Sequence, residues 1–146
     1  MNLKLKHGVL KWIRFYVKAD KSLKMSLDMA KKIKSAKAKG RRLQNSLRDM
    51  LKEAFPVLEE DDIKSQTMGM SGEDIVLSSA ARKIIPYSFE CKNQERVQIW
   101  RALTQALGNA GGRVPVVVIK RNHTEPYAIL DLNAFIDLIK DKYGSQ

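Results

Sequence analysis

Glu90 and Lys92 put an acid and an amine two residues apart in the segment Tyr87-Ser88-Phe89-Glu90-Cys91-Lys92. The segment alternates in character as a β-strand does, and on a strand successive side chains point to opposite faces. Phe89 and Cys91 are then expected toward the core, with Glu90 and Lys92 together on the other face. Such a pair can divide labour. The carboxylate can hold a hard divalent cation, while the ammonium orients an attacking water and steadies negative charge at a phosphate. Mg²⁺ takes octahedral oxygen ligands and keeps several waters, so a second carboxylate is needed to fix it. Asp74 is the candidate, just past the glycine turn Gly69-Met70-Ser71-Gly72 and at the start of a short strand ahead of the Glu90 strand. Pairing of those two strands would make Asp74 and Glu90 converge, with the main-chain carbonyl of Cys91 as a third oxygen. By itself E-x-K reads as a surface ion pair worth little; Asp74 at the turn is what gives it chemical content.

The elements that must position these residues are legible as periodicities. Residues 41–55 read as a helix, with Leu43, Leu47, Met50, Leu51 and Ala54 at helical spacing and Pro56 as the stop. Residues 26–40, rich in Lys, Ala and Ser, read as a basic helix or linker ended by Gly40. Residues 1–24 mix Lys with Leu, Trp12, Phe15 and Tyr16 and read as an appended basic amphipathic helix, and Met25 is an alternative translation start. An acidic, solvated loop is expected at 59–62, a strand within 63–68, a strand at 75–77, a connection at 78–82 and the strand at 87–92. A helix over 97–107 would carry Val97, Trp100, Leu103 and Leu107 on or near one apolar face, with Trp100 in the core or at a dimer contact. Glycines at 108–112 break it. The β-branched run at 114–119 marks a strand buried on both faces. A shorter strand at 127–130 and a last helix to about Lys142, capped by Asp131 or Asn133, complete the order. It predicts an α/β sandwich around a mixed sheet flanked by helices, divided into a basic helical N-terminal arm, 1–39, and a domain, 40–146.

Asp74 followed by Glu90-Cys91-Lys92 resembles the D…(D/E)xK pattern of the PD-(D/E)XK nuclease superfamily, and looks closest to small phage endonucleases and archaeal-type Holliday junction resolvases. The resemblance runs from about residue 40 to residue 140. It implies a restriction-endonuclease-like core and hydrolysis of DNA phosphodiesters, leaving a 5′-phosphate, for DNA recombination. By resemblance, Asp74, Glu90 and the Cys91 carbonyl bind Mg²⁺, or Mn²⁺ in its place, and Lys92 assists catalysis. Ser71 resembles a serine set near the scissile phosphate, and Gln105 a glutamine on the following helix. A homodimer acting on branched or duplex DNA is implied, in a bacterial cytoplasm if the chain is phage-encoded. Two positions depart from the pattern: Glu73 stands where the leading proline would, and Gln44 where relatives carry a metal-binding glutamate on the first helix. An amide oxygen ligates weakly and without charge, which argues against a second tightly held metal.

The charge distribution points the same way. Net charge is +11, and the first 55 residues hold 16 Lys and Arg against 4 Asp and Glu, while the remaining residues hold 11 against 12. A basic arm on a near-neutral body fits a polyanion, most simply nucleic acid; the bland alternative is a solvated tail. Lys37, Lys39, Arg41 and Arg42 are placed to grip phosphates, which would make binding strongly salt-dependent; Lys120 and Arg121 are weaker candidates. Gln98 and Arg101 join Gln105 in a polar helix stripe. One cysteine excludes an intramolecular disulfide and fits a reducing compartment, and with two scattered histidines, His7 and His123, no zinc site is supported. No P-loop or nucleophile elbow occurs, and no run approaches the roughly 20 apolar residues of a membrane span. Two function classes remain, a metal-dependent endonuclease and a catalytically inactive DNA-binding module on the same fold. A third, weaker reading makes residues 1–24 an anchor to a membrane surface or a partner.

Overall fold

The helix expected over 41–55 is the end of a much longer one. In a computed structural model, which describes residues 3–67 and 69–144 and side-chain surroundings from residue 18 onward, α1 runs unbroken over Leu3–Ala54. Gly40 does not stop it. Glycine inside a helix costs only about 1 kcal/mol relative to alanine, and Lys39, Arg41, Arg42 and Leu43 around it are good helix formers. Gly40 is also absent from the glycines with positive φ, so the left-handed conformation that ends helices is not adopted there. The chain divides into two compact units, Met1–Lys37 and Ala38–Gln146. In the first, residues 18–37 are exposed, Leu23, Met25, Leu27, Met29 and Ile33 included. The side chains of His7, Trp12, Phe15 and Tyr16 lie outside the described residues, as does Met68.

In the second unit, the last turns of α1 bury Leu43 and Gln44 and pack Leu47, Leu51 and Phe55 against the core, while Met50 is exposed. The acidic run forms a single 3-10 turn at Glu60–Asp62. Strand β1, Ile63–Ser65, pairs antiparallel with β2, Ile75–Leu77. The expected connection at 78–82 is instead a short helix, α2, Ser79–Ile84, started by the Ser78 hydroxyl accepting from the Ala81 N–H at 3.1 Å. Strand β3, Tyr87–Asn93, leads through α3, Ile99–Asn109, to the parallel strand β4, Val114–Lys120, and β5, Tyr127–Ile129, pairs antiparallel with β4. Helix α4, Leu132–Tyr143, is capped by Asp131, whose carboxylate accepts from Ala134 N–H at 3.0 Å.

The chain is therefore mixed α/β, with two small sheets, β1-β2 and β3-β4-β5. Among the described residues one backbone–backbone hydrogen bond joins β3 to the segment leading into β2, Asp74 N–H to Phe89 carbonyl at 2.9 Å. The ladder goes no further because a side chain takes the next rung: the Cys91 N–H donates to Asp74 Oδ2 at 2.6 Å rather than to a backbone carbonyl.

The two faces of the larger sheet are both covered, as the β-branched run of β4 predicts. Phe89, Cys91, Val116 and Val118 pack with Leu43, Ile63, Ile75, Leu77 and Ile85. On the other side Val117, fully buried, meets Ala102 and Ala106 of α3, with Val97, Leu103, Ile119 and Ile129 around them. Alanines let α3 approach the sheet closely. Of the expected apolar face on and near α3, Val97 and Leu103 do pack against this cluster, while Trp100 and Leu107 do not. Trp100 is 83 % and Leu107 67 % exposed, so Trp100 is no core residue.

Candidate active site

Alternation along β3 places Glu90 and Lys92 on the α3 side of the sheet. Glu90 is buried, and its Oε1 accepts from Lys92 Nζ at 2.6 Å. Lys92 Nζ also donates to Gln105 Oε1 of α3 at 2.9 Å, which brings Gln105 into the site. Asp74 reaches the same end of β3 from the β2 side. Its Oδ2 holds the Cys91 N–H, and its Oδ1 accepts from Gln44 Nε2 of α1 at 2.5 Å. The Cys91 carbonyl points to that edge too, since Phe89 C=O and Cys91 N–H both face Asp74 and odd residues of a strand share a direction. Asp74, Glu90, Lys92, the Cys91 carbonyl, Gln44 and Gln105 are thus assembled from α1, β3, α3 and the segment leading into β2.

Two oxygens in this cluster are orphaned. Gln44 Oε1 and Glu90 Oε2 are buried with no hydrogen-bond partner among the described residues. Buried polar atoms are ordinarily paired, and leaving one unpaired costs about 1–3 kcal/mol. Burial raises the pKa of the Asp74 carboxyl above its ordinary range, against the Cys91 N–H, the Lys92 charge and the Gln44 amide, which pull it down. Burial raises Glu90 as well and the Asp74 charge adds to it; the Lys92 hydrogen bond and charge and the nearby Asn109 amide, which itself donates to the Gly72 carbonyl at 2.9 Å, oppose it. Two poorly solvated carboxylates with unpaired oxygens beside them have the electrostatics of a cation site. The fit is to a cation that keeps waters: among the described residues no group of three or more His, Cys, Asp and Glu side chains gathers, and Mg²⁺ is commonly held by one or two protein carboxylates. The Cys91 thiol is pushed up by burial and by the Asp74 and Glu90 charges, so it stays protonated and packed, as its core-facing position implies.

Glu73 does something the sequence did not disclose. Glu73 and Asp74 precede β2, and while Asp74 reaches the site Glu73 is buried. It lies against Arg113 at 2.8 Å, Ser88 Oγ at 3.2 Å and Arg82 at 3.4 Å. This network anchors the backbone that carries Asp74. Nothing in spacing marks Arg113 as the partner.

The other expected contacts are dispersed. Ser71 is exposed in its turn. Arg41 donates to the Gln66 carbonyl at 2.8 Å, fixing the chain after β1, and the Lys39 carbonyl accepts from Asn93 at 3.1 Å. Arg42, Gln98, Arg101 and Arg121 are exposed, and Lys120 binds the Thr124 carbonyl. His123 sits at a positive φ of 58° in an exposed loop. Among the described residues no helix is long and apolar enough to cross a membrane. Comparison with protein-family models, with curated proteins and with solved structures gives no match.

Proposed function

We propose that this chain is a metal-dependent DNA endonuclease of the PD-(D/E)XK type. The observation that carries the reading is the pair of orphaned buried oxygens on Gln44 and Glu90, beside Asp74 and within reach of Lys92. Asp74 and Glu90 would hold Mg²⁺ or Mn²⁺, with the Cys91 carbonyl and, more weakly, the Gln44 amide oxygen. A bound Mg²⁺ supplies an activated water and neutralises phosphate charge. The remaining work falls to the chain itself. Lys92, held between Glu90 and Gln105, orients the attacking water and stabilises charge at the phosphate. Asp74 is fixed from behind by the Glu73 network. The order α1, β1, β2, β3, α3 and parallel β4, interrupted by the short helix α2 before β3, supports the resemblance, and the basic first third fits a nucleic-acid substrate. In this reading Ser71, Lys39, Arg41 and Arg42 are DNA contacts, although Arg41 already donates to the Gln66 carbonyl. The protein would act as a homodimer in a bacterial cytoplasm.

The test is cleavage of labelled four-way junction and linear duplex in Mg²⁺ or EDTA. Wild type is expected to cut in Mg²⁺ alone. Lys92→Ala is expected to lower kcat by about 10²- to 10³-fold, the cost of removing one charge-stabilising donor, and Asp74→Asn to lose activity. A second reading has one observation in its favour: Gln44 leaves the site with two carboxylates. In that reading the fold binds DNA and the site is inert. Folded wild type that binds DNA and cuts neither substrate in Mg²⁺ or Mn²⁺ would establish it.

A further inference from the structure

Two concavities share a wall beside Lys92. One, of about 280 Å³, is lined by Lys92, Gln94, Gln98, Arg101 and Gln105. Two cations and three amides are donors suited to a phosphate. The other, of about 400 Å³, has Val97, Ile99 and Ile119 as apolar walls, with Tyr127 and Arg121 also lining it. Glu95 lines it as well, its Oε1 engaged by the Asn122 N–H at 2.9 Å. Gln94 and Val97 belong to both clefts.

Sheet register fixes how the two relate. Lys92 is the neighbour of Ile119 on β4, and Ile119 the neighbour of Tyr127 on β5, so the three form a row on one face of the sheet. At roughly 4.8 Å per strand spacing, the Tyr127 backbone lies about 10 Å from that of Lys92. Tyr127 is 64 % exposed, which leaves its ring open to a stacking partner. A polar, cationic cleft adjoining, across Gln94 and Val97, an apolar one that has an aromatic ring and an arginine is the chemistry of a nucleotide: phosphate in the first, base in the second. Bases stack on aromatic faces and on guanidinium planes irrespective of sequence. A base inside a duplex is stacked on both sides and cannot enter such a cleft without leaving the helix.

We propose that the cleft between the start of α3 and the β4-β5 pair receives an unpaired nucleobase of the DNA strand whose phosphate lies at Lys92 and Arg101. The substrate is then DNA with an unpaired nucleotide beside the cut, such as a flap, a gap or a single strand, rather than matched duplex. This deepens the endonuclease reading and rests on it for the word substrate; the base cleft itself is testable without cleavage.

The experiment uses the full chain in EDTA and a single-stranded oligonucleotide carrying 2-aminopurine, with a matched duplex carrying the same probe. Wild type is expected to bind the single strand with the probe quenched by stacking and to leave the duplex probe unchanged. Tyr127→Ala and Ile99→Glu, both at exposed positions outside the catalytic cluster, are expected to weaken single-strand binding about 5- to 150-fold, the range for loss of one stacked base, while duplex binding stays within about twofold. Variants that bind the single strand as wild type does, or absence of single-strand binding by wild type, would overturn the proposal. Displacement of the oligonucleotide by an equal concentration of deoxyadenosine 5′-monophosphate would overturn it in favour of a free nucleotide. Repeating the set in Mg²⁺ separates the two readings. Cutting without base binding removes the base cleft alone, and base binding without cutting removes the endonuclease alone.

Discussion

At the scale of residues, the site holds two carboxylates in a place that disfavours their charge. Burial raises the pKa of both Asp74 and Glu90, so the native state binds protons more tightly than the unfolded chain does. Stability then falls as pH rises from the ordinary carboxylate value, about 4, through the raised native values, and the cost persists above them. Asp74→Asn removes its share of that cost and keeps an oxygen for the Cys91 N–H. In EDTA its Tm is expected to exceed that of wild type at pH 7, with the gap closing toward pH 4. A lower Tm at pH 7 would contradict this. If Asp74 and Glu90 hold Mg²⁺ as proposed, protons and the cation compete for the same oxygens, so a rise in wild-type Tm caused by Mg²⁺ is expected to grow from pH 5 to pH 8 and to be absent in Asp74→Asn. Glu73 is the opposite case, a buried carboxylate whose charge is matched. Glu73→Gln leaves Arg113, 15 % exposed at its side chain, short of its partner, and is expected to cost about 1–3 kcal/mol in urea denaturation.

At the scale of elements, the informative feature is the junction of two small sheets. Asp74 ends the backbone ladder by substituting its own carboxylate for a carbonyl, so the break in the sheet and the placing of the acid are one event. Helix α1 completes the site by delivering Gln44, the neighbour of the core residue Leu43. Its continuity through Gly40 gives a direct check. A Cβ at Gly40 would meet nothing within 4 Å. Gly40→Ala is therefore expected to stabilise the protein by about 0.5–1 kcal/mol, seen as a higher Tm with unchanged Mg²⁺ response. A loss of stability would mean that the helix is interrupted at this glycine in solution.

At the scale of the whole molecule, the excess positive charge and the candidate site lie in different parts of the chain. Residues 1–37 contain eleven Lys and Arg against two Asp, and the residues that gather at Asp74 all lie beyond them. In the proposed endonuclease, removing residues 1–37 is expected to weaken DNA binding and to flatten its salt dependence, by about 0.9 in the log–log slope for each phosphate that the arm no longer neutralises. The Mg²⁺-induced shift in Tm should survive the truncation. An unchanged salt slope would place the DNA-binding surface on the second unit, at Arg42, Arg101 and Arg121.

The sequence alone determined the elements whose signal is local. Alternation and β-branching marked β3 and β4, helical spacing marked the end of α1, Asp131 and Asn133 marked the start of α4, where Asp131 is the cap, and Asp74, Glu90 and Lys92 could be picked out because a strand makes Glu90 and Lys92 neighbours whatever surrounds it. Only the tertiary structure decided the rest. The glycine at position 40 carries a helix-ending tendency that neighbouring residues outweigh. The apolar residues Trp100 and Leu107 lie outside because alanines, not they, let α3 approach Val117. That Gln44 meets Asp74, that Glu73 finds Arg113, and that two oxygens are left unpaired depend on packing between segments far apart in the chain. Periodicity reports which side of an element is apolar; the partner of a buried polar group is set by the packing of several elements at once.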